Sequence, residues 1–178
     1  MCVVAVNIPE EVLLDLRMRK VIVNSTPLIA LCHVNQLNVL KQLYGEITIP
    51  KAVYDEISVK EDSVCKKNVD ESLDWIHVQE IQNQMAKTMF KSQLHDGEVE
   101  VMILAMEQHA DVVVIDDQNA KKYAKYLELP VTGTLGVLMK AKQKGYLSEL
   151  KPVLDVMVQN GIYIKPSLVE LCLKQVGE

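Results

Sequence analysis

The sequence predicts an α/β domain in three layers, with a doubly wound, mainly parallel sheet covered by helices on both faces. Three observations carry that reading. Short apolar runs rich in β-branched residues alternate with stretches of helical periodicity from residue 20 onward. One of those runs, residues 111–115 (DVVVI), is apolar almost throughout, as befits a strand covered on both faces. The chain has 178 residues, which suits one domain with a sizeable core. Apolar residues make up 49% but aromatics only 4%, so that core rests on Val, Leu, Ile, Ala and Met.

Residues 1–19 read as a strand–helix extension: a strand over 3–7, then a helix over 9–19 with Val12, Leu13 and Leu16 on one side. It is either the domain's own first element or a segment that pairs with another chain. The main domain occupies 20–178 and opens with a strand over 20–24 (KVIVN). Thr26 suits an N-cap and Pro27 a first helical position, so one helix is expected from there towards Leu43, stopped by Gly45. A second strand follows over 46–49, then a helix opened by Pro50. A polar, charged stretch leads to a third strand over 75–78 (WIHV).

From Gly97 the pattern sharpens. Val99, Met102, Ile103 and Met106 recur at amphipathic helical spacing. After the strand over 111–115 come a helix over 119–127, a short strand over 129–131 and a helix capped by Thr134 and ending near Gly145. Two more helices fit residues 148–159 and 166–175.

The net charge of −5 argues against a protein that coats nucleic acid non-specifically. It is compatible with a nuclease in which a local basic rim holds phosphates while acidic residues hold a metal. Lysines do cluster, at Lys121, Lys122 and Lys125 and again at Lys140, Lys142 and Lys144, a pattern that also suits solvated helix faces. Cys2, Cys32, Cys65 and Cys172 are scattered without zinc spacing and read as reduced thiols of a cytoplasmic protein, Cys32 and Cys172 within the core. No apolar run nears the roughly 20 residues of a membrane span, and the first residues lack a signal-peptide pattern. A GxSxG motif, a P-loop and a Rossmann glycine pattern are all missing, and His33, His77, His95 and His109 pair with no nucleophile. A phosphoacceptor receiver would need paired acids after the first strand, where this chain has Asn24-Ser25.

In a parallel sheet, functional groups collect beyond the carboxyl ends of the strands. Asn24 ends the first strand, Asp116 and Asp117 end the run over 111–115, and Glu98 lies in the first turn of the helix opened by Asp96-Gly97. At 100° per residue Glu98 borders the apolar face beside Met102 and Ala105, whereas Glu100 and Glu107 are expected to face water. Each candidate has a local role available too: Asp116 or Asp117 as a helix cap, Asp96 and Glu98 as favourable charges at a helix start, Asn24 as a turn residue. Their common location at one sheet edge points instead to a hard divalent cation relieving carboxylate repulsion.

Specific motifs join that pattern. Residues 21–31 (VIVNSTPLIAL) look like the opening motif of PIN-domain proteins, in which a strand ends in Asp before small hydroxylated residues. Residues 49–57 (IPKAVYDEI) resemble the second motif, with its acid on Glu56. Residues 94–98 (LHDGE) with 103–105 (ILA) are similar to the third, with its acid on Glu98. Residues 113–117 (VVIDD) with Ala120 match the fourth. Residues 132–138 (TGTLGVL) with Lys144-Gly145 look like a VapC-like branch of the family.

The resemblance covers roughly residues 20–175 in the right order. It implies a PIN-like α/β/α fold, Mg²⁺ or Mn²⁺ held by acidic residues, and hydrolysis of RNA phosphodiesters. VapC-like proteins are toxins silenced by a cognate antitoxin protein and commonly form homodimers. Asn24, Glu98 and Asp116 or Asp117 would then be metal ligands, and Glu56 an outer carboxylate, together forming the catalytic set. Ser25 and Thr132 are candidates to hold a metal-bound water or a phosphate oxygen, and Lys121, Lys122 and Lys125 to hold RNA. Asn24 departs from the family's Asp: its amide keeps one oxygen ligand and removes a charge, weakening metal affinity and water activation. The chain is then either a naturally weakened nuclease or one carrying an inactivating change. The alternative is a PIN fold without catalysis, kept as a protein-binding module.

Overall fold

The computed structural model describes residues 19–59, 63–90 and 94–178, so the strand and helix expected before residue 19 lie outside the described residues. Strand β1 (Val21–Val23) is followed by α1 (Ser25–His33), α2 (Asn38–Tyr44), β2 (Ile47–Pro50), α3 (Lys51–Val59) and α4 (Ser63–Asp70). Then come β3 (Ile76–Gln79), α5 (Gln84–Phe90), α6 (Asp96–Gln108), β4 (Val112–Val114) and α7 (Gln118–Tyr126). Strand β5 (Val131–Thr132) precedes α8 (Thr134–Gln143), α9 (Lys151–Gln159) and α10 (Pro166–Val176).

The five strands form one parallel sheet in the order β3-β2-β1-β4-β5, in the three-layer α/β/α arrangement that the sequence predicts. Strands β1 and β4 lie at its centre, and Val21, Ile22, Val23, Val113 and Val114 are buried there. That double covering is why these strands read as continuous apolar runs. The chain order reverses between β1 and β4, which leaves a crevice beyond their carboxyl ends. The register pairs Val23 with Val114. The Asn24 amide then donates to the Val114 carbonyl at 3.0 Å, holding the residue after β1 at the end of β4.

Several local expectations need correction. The single helix expected from Thr26 to Leu43 is two, because Asn35 takes a left-handed conformation (φ 54°), which Asn tolerates better than most residues. Its first residue is Ser25, with Asn24 as the N-cap rather than Thr26. The polar stretch before β3 contains α4, whose buried Cys65 and Val69 supply an i, i+4 contact. Gly133 precedes α8 as its N-cap, and Thr134 is the first helical residue.

Helix α6 departs furthest from its expected amphipathic character. Residues 99–105 are buried without a break. The helix packs on β1 and β2 on one side and on α3 and α5 on the other, so its middle has no solvent face. Cys32 and Cys172 are buried as expected, and burial pushes the Cys172 thiol up. Among the described residues, no helix is long and apolar enough to cross a membrane.

Candidate active site

A cleft of about 1040 Å³ opens at the carboxyl edge of the sheet. Asn24, Ser25 and Thr26 reach it from the β1–α1 junction, Lys51, Asp55 and Glu56 from α3, and Lys87 from α5. Asp96, Glu98 and Glu100 come from α6, and Asp117 from the end of β4. Four predicted site residues besides Asn24 therefore share one cleft with it: Ser25, Glu56, Glu98 and Asp117.

Asn24 is 2% exposed. Although it is the N-cap of α1, its side chain makes no capping bond, and Oδ1 has no hydrogen-bond partner among the described residues. Leaving a buried amide oxygen unsatisfied costs on the order of 1–3 kcal/mol, a cost that a ligand at this oxygen would remove. Gly97 makes the approach possible. A Cβ there would lie 3.1 Å from Glu56 Oε2 and 3.8 Å from Asn24 Oδ1, so both oxygens surround one point at the start of α6. A larger residue would press on the Glu56 carboxylate.

The remaining acids are partly engaged. Glu98 turns back and accepts from the His95 amide at 3.1 Å, while Asp117 caps α7 by accepting from the Ala120 amide at 2.8 Å. The capping role read for Asp116 or Asp117 therefore falls to Asp117, Glu98 does stand at a helix start and also bonds back to its N-cap, and both residues still line the cleft. Among the described residues, no three His, Cys, Asp or Glu side chains are grouped to hold an ion between them. The buried Asn24 amide oxygen is the donor by which the cleft fits a hard cation. The fit is to the donor chemistry of the cleft: neutral and anionic oxygens, which such a cation prefers.

Glu100 corrects the sequence reading. Expected to face water, it is 7% exposed because α6 is covered on two sides. Its Oε2 accepts from the Ala52 amide at 3.0 Å and Oε1 from Lys87 Nζ at 2.6 Å. One carboxylate thereby joins α6 to the start of α3 and holds a lysine at the cleft wall. The signal available in the sequence was a single charge inside the apolar run over 99–105. Glu107 is also engaged, accepting from the Gln82 and Asn83 amides.

Asp116 points away from this cleft. The Thr134 amide donates to its Oδ1 at 2.9 Å, and the Thr134 hydroxyl donates to Oδ2. A Cβ on Gly133 would lie 2.7 Å from Asp116 Oδ1 and 3.0 Å from Lys121 Nζ, so the turn into α8 needs that glycine. Asp116 and Lys121 line a second cleft of about 730 Å³, which shares Thr26 with the first as a lining residue. Lys122 and Lys125 lie exposed on α7, and Thr132 packs against Gly136; none of the three lines either cleft.

No curated protein matches the chain. The family model for the PIN domain matches residues 20–178, the span that holds the parallel sheet and both clefts. Fold, cleft position and family match agree on a nuclease-type architecture, and the chain belongs to the PIN-domain family.

Proposed function

We propose that the protein is an attenuated, metal-dependent endoribonuclease that hydrolyses RNA phosphodiesters in the acidic cleft. The observation that carries this is the buried Oδ1 of Asn24 at the end of β1, which has no hydrogen-bond partner among the described residues. Asn24, Glu98 and Asp117 would hold Mg²⁺ or Mn²⁺, with Glu56 as an outer carboxylate. Asp117 is preferred to Asp116 because it faces the cleft, whereas Asp116 is turned onto Thr134. The cation supplies polarisation of the phosphate and activation of water at neutral pH. The chain's own groups orient the substrate. Glu100 fixes Lys87 at the wall, where its ammonium can draw a phosphate oxygen, and Ser25 stands beside Asn24. With an amide where the family has a carboxylate, the cleft has one fewer negative charge to attract the cation.

The VapC-like features around residues 132–145 support a role as the toxin of a toxin–antitoxin pair, as a cytoplasmic homodimer silenced by a cognate antitoxin protein. Asn24→Asp tests the catalytic reading. Incubated with total RNA and Mn²⁺, the variant should cut far faster than the parent, and EDTA or Glu98→Gln should abolish the gain. A folded variant that bound no metal and cut no RNA would favour a protein-binding module without catalysis.

A further inference from the structure

We infer that the second cleft is a nucleotide subsite, holding an unstacked base of single-stranded RNA against Tyr163 with the adjoining phosphate directed to Lys121 and Lys165. The inference rests on RNA as the substrate and names where the nucleotide beside the scissile phosphate goes. Thr26 is exposed and lines both clefts, so the two are adjacent and a strand with one phosphate in the acidic cleft can reach the second across Thr26. At about 730 Å³ the space falls within the usual range for small-ligand sites.

Its chemistry differs from that of its neighbour. Ile29 and Leu135 contribute an apolar lining suited to the faces of a base. Tyr163 also lines the cleft, from the loop between α9 and α10, yet is 83% exposed. An aromatic ring left in water beside a cleft is a ready stacking platform, and stacking tolerates any base. Lys121 and Lys165 add two cations within a chain of net charge −5. Asp116, the acid among the described residues that line this cleft, already accepts two hydrogen bonds from Thr134. The acidic cleft repels a phosphate unless a cation is bound, whereas the second attracts one. Duplex RNA does not fit this reading, because its bases are stacked and paired.

The test is binding of a fluorescently labelled single-stranded RNA oligomer by the whole protein in EDTA, followed by anisotropy. Tyr163→Ala should weaken binding at least about fivefold, and Tyr163→Phe should restore it. Lys121→Ala should lower the salt slope by roughly 0.7. Tyr126→Ala, which removes an equally exposed tyrosine on α7, should change nothing. Three results would overturn the subsite: parent-like affinity in Tyr163→Ala, equal loss in Tyr126→Ala, or duplex RNA bound as tightly as single-stranded. A protein helix as the true occupant would appear as the first of these. Cleavage plays no part in this measurement. If Asn24→Asp cut nothing while the tyrosine effect held, the nuclease reading alone would fail.

Discussion

Asp116 and Asp117 are neighbours in the chain, yet they belong to different clefts. Asp117 faces the acidic cleft with Asn24, Glu56 and Glu98, while Asp116 turns the other way, onto Thr134 and the second cleft. Successive residues leaving a strand point to opposite sides, so the end of β4 serves two surfaces at once. One surface gathers oxygen donors around a buried amide; the other combines apolar walls, an exposed ring and lysines. The lesson is that the reversal in strand order locates a functional edge without giving it a single chemistry. Side-chain direction divides the edge between the two.

The sharpest way to break this contrast is Asn24→Asp in the absence of metal. The carboxylate would occupy a site that is 2% exposed and close to Glu56 Oε2. An uncompensated charge in such a place destabilises by roughly 3–5 kcal/mol. Urea denaturation should therefore show the variant less stable than the parent in EDTA, with Mn²⁺ recovering much of the loss. Equal stability in EDTA would mean that the site is wetter than its burial implies, and the contrast between the clefts would weaken.

A smaller effect is expected at the wall of the acidic cleft. The Lys87 and Glu100 side chains are 21% and 9% exposed, and they form an ion pair at 2.6 Å. Lys87→Met removes the cation and leaves the buried carboxylate with the Ala52 amide. The expected cost is about 2–3 kcal/mol, somewhat below that of a fully buried pair because the lysine keeps some contact with water. Adding Glu100→Gln should return part of that stability. A double-mutant cycle with negligible coupling would show that this pair does not shape the cleft.

The two aspartates give the most direct comparison. Asp116→Ala frees the Thr134 amide and hydroxyl at the start of α8, at a cost of roughly 1–2 kcal/mol. In the Asn24→Asp background it should leave Mn²⁺ affinity nearly unchanged. Asp117→Asn retains an oxygen to cap Ala120 and should cost little stability, yet it should lower Mn²⁺ affinity. Calorimetric titration reads both. The reverse outcome, with Asp116 controlling the metal, would exchange the roles of the two clefts.

How far the sequence reveals this arrangement depends on what each residue's neighbours are. The central strands are legible because burial on both faces leaves only apolar residues, and the residues after them are legible because strand ends face the crevice. Glu100 is legible only as a single charge within an apolar run, and periodicity turns it the wrong way. Helical periodicity assumes one wet face, and α6 has none along its middle. The break at Asn35 depends on one residue taking the left-handed conformation, and Asn as a residue type is also compatible with a helix interior. The opposed directions of Asp116 and Asp117 depend on the turn into α8, where Gly133 leaves room for the Asp116 carboxylate. The second cleft is the least legible part, because Thr26, Lys121 and Tyr163 lie far apart in sequence.

The smallest effect concerns α9, which with the loop after it walls the second cleft through Met157 and Tyr163. The start of α9 is held by Glu178, whose carboxylate accepts from the Leu150 amide at 2.7 Å and the Lys151 amide at 2.9 Å. Lys142 Nζ lies 3.0 Å from the same group. The two backbone bonds, with Lys142 beside them, hold the Glu178 pKa below its ordinary value of 4.5. A depressed folded-state pKa contributes stability that is present above the ordinary value and lost as pH falls through the folded one. Glu178→Gln keeps one acceptor oxygen but neither the charge nor its titration. The parent should therefore melt slightly higher than the variant at neutral pH, and the gap should close as pH falls below 4.5. The acidic cleft should be indifferent: in the Asn24→Asp background, Mn²⁺ affinity should not change with Glu178→Gln. Melting curves of parent and variant from neutral to acid pH decide it, because a gap independent of pH would assign the contact to packing rather than charge.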